Sequence, residues 1–258
     1  LNIGVDESGS FVYSSASDTW NCVAAYAYPE TDTRKIRSLL SQLKRRHGVG
    51  VNDEIKLKTL SENSYLNFLG EFLQLEGTLY AVATDTSLNT SDRIQHHQKD
   101  QAAKIFEHID LMQFDAAKQG LRELADLINA MPPQLYVQMQ SQLYLVLMII
   151  KTAILYYVQK HPQTLGNFRW RIDQKNSSKT DYERAYLQVL PGFLQTASLR
   201  EPIPVLAEGN YKWFDRFHYP VGQEPTYLQD VYSIETDDAN ERKLNIGKVV
   251  QEDMLLVH

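Results

Sequence analysis

The sequence predicts an α/β domain, a mixed sheet flanked by helices, and three observations carry that prediction. Two runs rich in Val, Tyr, Phe and Ala, Asn2 to Tyr13 and Trp20 to Tyr28, flank the Ser14-Ser15-Ala16-Ser17-Asp18 turn cluster, the pattern of an antiparallel hairpin. Helical spacing then alternates with further strand-like runs, as an α/β sheet requires. Two of those later runs, Thr78 to Asp85 and Asn167 to Gln174, deliver an aspartate at or near their ends.

Taken in order, Pro29 closes the second strand, and Asp32 or Thr33 is placed to cap a helix whose apolar positions are Ile36, Leu39, Leu40 and Leu43. Gly48 stops it. A short polar segment, Asp53 to Lys58, precedes Ser61, the expected cap of a helix reaching about Leu75. The strand Thr78 to Asp85 follows. Two long helical patterns come next, about Ser91 to Ala130 and Gln134 to Lys160, separated by Met131-Pro132-Pro133, where paired prolines cannot continue a helix. The first has a second potential break near Gly120. Together they exceed what one crossover needs, so residues 91–160 read as a helical-hairpin insertion or cap in a single domain. The strand ending at Asp173 leads to a helix from about Thr180 to Leu194. Residues Arg200 to Tyr219 have room for one more strand, and Thr226 to Val257 read as strand, polar turn and strand, Lys248 to Val257 being the last.

A chain of 258 residues that is 43% hydrophobic can bury a sizeable core. Its one cysteine, Cys22, excludes an intrachain disulfide and a thiolate metal cluster, and a reducing, cytoplasmic compartment is the default expectation. No basic segment followed by an apolar signal core is visible at the start. The most apolar stretch, Leu143 to Val158, is interrupted by Lys151 and reads as a buried helix rather than a membrane span. A net charge of −6 opposes indiscriminate nucleic-acid binding, so local basic patches matter more than the total.

The opening Ile3-Gly4-Val5-Asp6-Glu7-Ser8-Gly9-Ser10 resembles the strand-borne Asp-Glu-Ser-Gly signature of the bacterial family called domain of unknown function 3800. Glu54-Ile55-Lys56 is similar to that family's second signature, an acidic residue followed by an apolar residue and lysine. The order of elements agrees over most of the chain. The resemblance implies a ribonuclease H-like sheet bearing several carboxylates and a nuclease activity. Members of the family usually finish with a helix carrying a Gln-x-x-Asp type motif, which supplies a further carboxylate. The residues here stop at Val257-His258, so that helix either lies beyond them or is lacking in this member.

Phosphodiester hydrolysis needs a water deprotonated near neutral pH and a stabilised leaving oxygen, which two Mg²⁺ or Mn²⁺ ions about 3.5–4 Å apart provide. Such hard cations take oxygen ligands. Period-two alternation sends Asp6 to the side shared by Gly4 and Ser8, while Glu7 points with Ile3 and Val5, so the two acids cannot readily share one ion. Asp6 is the expected central ligand, and Glu7 a supporting or solvent-facing charge. Glu54 and Asp173 are the second and third ligands by the family pattern, which spacing alone supports for neither. Lys56 is expected to orient a carboxylate or meet a phosphate, and Asp85 competes with Asp173 for the ion. The plainer readings are a strand-end charge for Asp6 and a surface ion pair for Glu54 and Lys56.

Other features point elsewhere. Asp230, Asp237, Asp238 and Asp253 read as acids of solvated turns. His96 and His97 are adjacent on a polar helix and lack the i, i+4 spacing of a chelate. Ser8 has no Gly-x-Ser-x-Gly surroundings, and no phosphate-binding glycine loop is present. The first helix carries Arg34, Lys35, Arg37, Lys44, Arg45 and Arg46 opposite its leucines, a face suited to phosphates or to solvent. Residues Tyr211 to Tyr219 interleave aromatics with cations, as base-stacking surfaces do, although core packing under a loop explains such rings as well. The expectation is therefore a metal-dependent nuclease acting on nucleic acid, away from membranes. The alternative is an inactive ribonuclease H-like module that binds nucleic acid or a protein. The helical insertion offers the surface for a homodimer or a protein partner.

Overall fold

The computed structural model describes residues 1–16, 18–107, 109–173, 180–225 and 243–257. Its centre is a five-stranded mixed sheet of β1 (Asn2–Ser8), β2 (Trp20–Tyr28), β3 (Thr78–Asp85), β4 (Arg169–Asp173) and β5 (Met254–Val257), in the order β3-β2-β1-β4-β5. Among the described strands, β2 is antiparallel to both β1 and β3, whereas β1 is parallel to β4 and β4 to β5. Helices flank the sheet, so the expected α/β class with a mixed sheet is what the chain forms.

The hydrophobic pattern sets which face is covered. Ile3 and Val5, Val23, Ala25 and Ala27, and Trp170 and Ile172 alternate to one face and are buried. Across that face lies α5 (Pro133–Lys160), following α3 (Ser91–Glu107) and α4 (Asp115–Ala130), with α6 (Asp181–Arg200) and the short α7 (Ile246–Gln251) completing the layer. Directional bonds fix this packing. The Tyr157 hydroxyl of α5 lies 3.0 Å from the Ala27 carbonyl and 2.9 Å from that of Glu76. The Trp170 indole donates to Val249 O of α7 at 3.1 Å, and the Tyr182 hydroxyl of α6 bonds Gln142 of α5. The other face is covered only in part. There α1 (Thr33–Arg46) and α2 (Glu62–Phe72) pack on each other, and Phe72 sits 4.4 Å from the Tyr26 ring.

Several sequence expectations shift. β1 ends at Ser8 rather than near Tyr13 because Gly9 (φ 112°) and Phe11 (φ 55°) turn the chain out of the strand. Asp32 precedes α1 without capping it; it is buried, pairs with Lys35 at 3.0 Å and accepts from the Glu76 amide at 2.8 Å. Ser61 does cap α2, accepting from the Ser64 amide. The first long helical pattern breaks between Glu107 and Asp115, and Gly120 lies inside α4. The second is no appended cap: α5 is the central core helix and the crossover between β3 and β4, with Leu143, Leu145, Ile149, Ile150, Ala153 and Tyr157 fully buried. By length and composition α5 could also cross a membrane, yet its apolar window is mostly packed inside the protein. α6 starts on a capping box, Thr180 with Glu183, and continues past Leu194 to Arg200. Among the described residues of 200–219 there is no strand; the segment holds a 3₁₀ turn at Asp215–Phe217 and a single antiparallel bridge from His218 to Leu244, while Pro202, Pro204 and Pro220 remove amides a ladder would need. The expected last strand is half helix. Asn245 accepts from the Lys248 amide, so Ile246, Val249 and Val250 follow helical spacing before β5 begins at Met254. The strand expected from Thr226 lies outside the described residues, apart from the turn ahead of it.

Candidate metal centre

β1 and β4 lie side by side, with Asn2 beside Arg169, Gly4 beside Arg171 and Val5 beside Ile172. The next residue on each strand is Asp6 and Asp173. Parallel strands are about 4.8 Å apart, so these two carboxylates project from adjacent strands, one strand spacing apart, on the same side. Both are exposed and share that side with Gly4 and Arg171. They also stand at the carboxyl ends of their strands, the end at which open α/β sheets place ligands. The helices α1 and α2 leave this end uncovered. Tyr26, which meets α2, is opposite Gly4, whereas Asp6 is opposite Ala24.

Gly9 shapes the turn that follows Asp6. A Cβ there would lie 2.5 Å from the Asn21 Oδ1 that holds the Phe11 amide at 2.9 Å, so the last residue of the Asp-Glu-Ser-Gly motif has a structural job. Asp6 Oδ1 accepts from the Glu7 amide at 2.8 Å. Glu7 is half-buried on the opposite side, toward α6. Burial drives the Tyr182 phenol of α6 well above its ordinary pKa, with Tyr186 and then Glu7 adding to the effect.

The remaining candidates are placed differently. Glu54 and Lys56 form an ion pair with each other in the loop before α2, at 69% and 57% side-chain exposure, which matches the plainer reading of both. Asp85 is opposite Trp20, while Ala81 is opposite Ala24 and Ala24 opposite Asp6. Two strand spacings across and four residues along put Asp85 roughly 16 Å from Asp6, too far to share an ion with it. Its carboxylate instead accepts from the Ser87 amide at 2.8 Å and caps a 3₁₀ turn. Of the two competitors, Asp173 is the one beside Asp6. Among the described residues no three His, Cys, Asp or Glu gather into a metal-holding group, so Glu54 does not join the pair in this arrangement.

Asp253 corrects another expectation. It is no solvated acid, for it accepts from Arg171 at 3.1 Å and Asn167 at 3.3 Å and lies 3.6 Å from Arg169 Nε. Asp230, Asp237 and Asp238 lie outside the described residues. Arg171 precedes Asp173 by two residues on the same side of β4, and its guanidinium is held by Asp253 at 3.1 Å. Burial raises the Tyr28 pKa, with Glu30 adding to it and Arg37 and Arg171 opposing it; Tyr28 pairs with Asn2, at the other end of β1 from Asp6. Sequence reasoning did not single out Arg171, although the alternation Arg169-Trp170-Arg171-Ile172-Asp173 contains the signal: its polar residues all share one side.

No family model, curated protein or solved structure matches the chain.

Proposed function

We propose that the chain is a ribonuclease H-like, divalent-metal-dependent nuclease, related to the family its opening motif resembles. The observation that carries the proposal is the adjacency of Asp6 and Asp173 at the ends of two neighbouring parallel strands, at the uncovered end of the partly covered face. The strand order, with β2 alone antiparallel, supports the same reading of the fold.

Two carboxylates one strand apart are a suitable oxygen donor set for Mg²⁺ or Mn²⁺. When bound, such an ion would activate a water and stabilise a leaving phosphate oxygen. Asp6 and Asp173 would hold it, on strands whose buried neighbours Val5 and Ile172 keep both side chains in place. Glu54 would add a third oxygen only after leaving Lys56.

Calorimetric titration with Mn²⁺ tests the reading, comparing the native chain with Asp6→Asn, Asp173→Asn and Glu54→Gln. Binding lost in both aspartate variants supports the pair as the ligands, and the Glu54 variant reports whether that loop contributes. The solitary pair and the engaged Glu54 favour a second reading, a binding module without catalysis. Absence of Mn²⁺ binding in the native chain would replace the nuclease with that module.

A further inference from the structure

At the opposite end of β1 and β4 from the acid pair, a cleft of about 490 Å³ opens between the strand starts and the loop Tyr211 to Phe217. This is the aromatic and cationic segment that stands out in the sequence, and the fold divides its rings into two groups. Phe214 and Phe217 are core, packed edge-on against Phe168. Trp213 is not: it is 48% exposed and lines the cleft. Its ring lies against Gly166, where an added Cβ would come within 3.9 Å of the indole. Arg216 holds the same Gly166 through its carbonyl, at 2.9 Å. The platform is therefore built from both sides.

We propose that this cleft is a nucleotide-stacking subsite, with Trp213 as the platform for a base and Lys212 and Arg216 as the contacts for its phosphate. The Lys212 ammonium stands 6.0 Å from the Trp213 ring centroid, so an aromatic face and a cation are offered together. Arg169 brings a second guanidinium to the wall, paired with Glu30, and Arg216 is paired with Glu252. Gln163 and Asn167 line the cleft with amides able to meet the edges of a base. Thr164, 8% exposed in the same wall, has a hydroxyl without a hydrogen-bond partner. An aromatic face and cations in one wall suit a nucleotide better than a fatty or purely apolar ligand.

The identity of the ligand rests on the nuclease reading, which the cleft extends. Arg169 and Asp173 share one side of β4, and the four residue steps from one to the other span about 13 Å. A single strand of a few nucleotides can therefore touch both the cleft and the acid pair, which makes the cleft a positioning site for substrate rather than a place of chemistry.

The test is fluorescence anisotropy of short fluorescein-labelled oligothymidylate and oligouridylate in EDTA, where no divalent ion contributes. Trp213→Ala is expected to weaken binding about five- to hundredfold, the range for loss of one stacked base, while Trp213→Phe keeps most of it. Lys212→Ala is expected to weaken binding and lower the salt slope by about one. Circular dichroism checks that each variant is folded. Native-like affinity in folded Trp213→Ala, or no oligonucleotide binding by the native chain, overturns the proposal. If free adenosine monophosphate competes at similar concentration with the same dependence on Trp213, the subsite stands and its ligand is a free nucleotide. The Mn²⁺ titration is read separately: Trp213-dependent binding without Mn²⁺ binding keeps the subsite and rejects the nuclease.

Discussion

Replacing Gly9 by alanine should unfold this chain more easily, and the size of the effect follows from two local facts. Gly9 has φ 112°, a region that side chains avoid, at a cost of about 1–3 kcal/mol. The added Cβ would also sit 2.5 Å from Asn21 Oδ1, so Asn21 must move. That movement loosens the bond to the Phe11 amide, in a residue only 2% exposed, and an unsatisfied buried amide costs about 1–3 kcal/mol. With partial relaxation the loss is about 2–5 kcal/mol, or roughly 5–15 °C in Tm for a chain of this size. Gly4, five residues earlier, is the control. Nothing lies within 4 Å of a Cβ built there, and alanine suits a strand better than glycine by about 0.5–1 kcal/mol. Thermal unfolding followed by circular dichroism should show Gly4→Ala unchanged or slightly stabilised. Equal melting temperatures for the two variants would refute the reasoning and return Gly9 to a purely functional role.

Two further outcomes are expected. Tyr157→Phe removes the hydroxyl that joins α5 to the Ala27 and Glu76 carbonyls, so a urea midpoint should report a loss of about 1–2 kcal/mol; an unchanged midpoint would mean that water satisfies those carbonyls. Burial raises the pKa of Tyr136, Tyr157 and Tyr186 and brings Tyr26 to about 12, so the folded chain retains phenol protons that the unfolded chain releases from about pH 10. Stability from these groups is therefore complete below that pH and falls as pH rises through 10 and beyond; a urea midpoint equal at about pH 8 and 11 would contradict this.

The sheet was legible because its signals are local. The alternation of Ile3, Val5, Val23, Ala25 and Ala27 marks the covered face directly, and Ser61 and Thr180 announce their helices through capping chemistry. What misled was tertiary. The length of residues 91–160 suggested an insertion, because nothing in a single helical pattern says that one half, α5, is the core itself while α3 and α4 pack beside it. Lys248 to Val257 carries apolar residues at both ends around Gln251-Glu252-Asp253, and the Asn245 cap is what marks its first half as helical. The site was half legible. Alternation places Asp6 on its side of β1, but choosing Asp173 over Asp85 requires strand order, which no single strand contains. Trp213 could not be separated from Phe214 and Phe217 by composition, since all three lie in one run of aromatics and cations and packing is what distinguishes them.

The pairing of β1 with β4 also has a kinetic side. The hairpin of β1 and β2 closes a short loop, Ser8 meeting Cys22, whereas β1 meets β4 across about 170 residues. Closing the longer loop costs about 2 kcal/mol more chain entropy, and it must precede any contact between the two strands. Asp6 and Asp173 thus belong to a late event, and a partly folded chain with its first three strands in place holds only one of them where it is needed. If the proposed ion is held there, its binding would report that the β1–β4 pairing has closed.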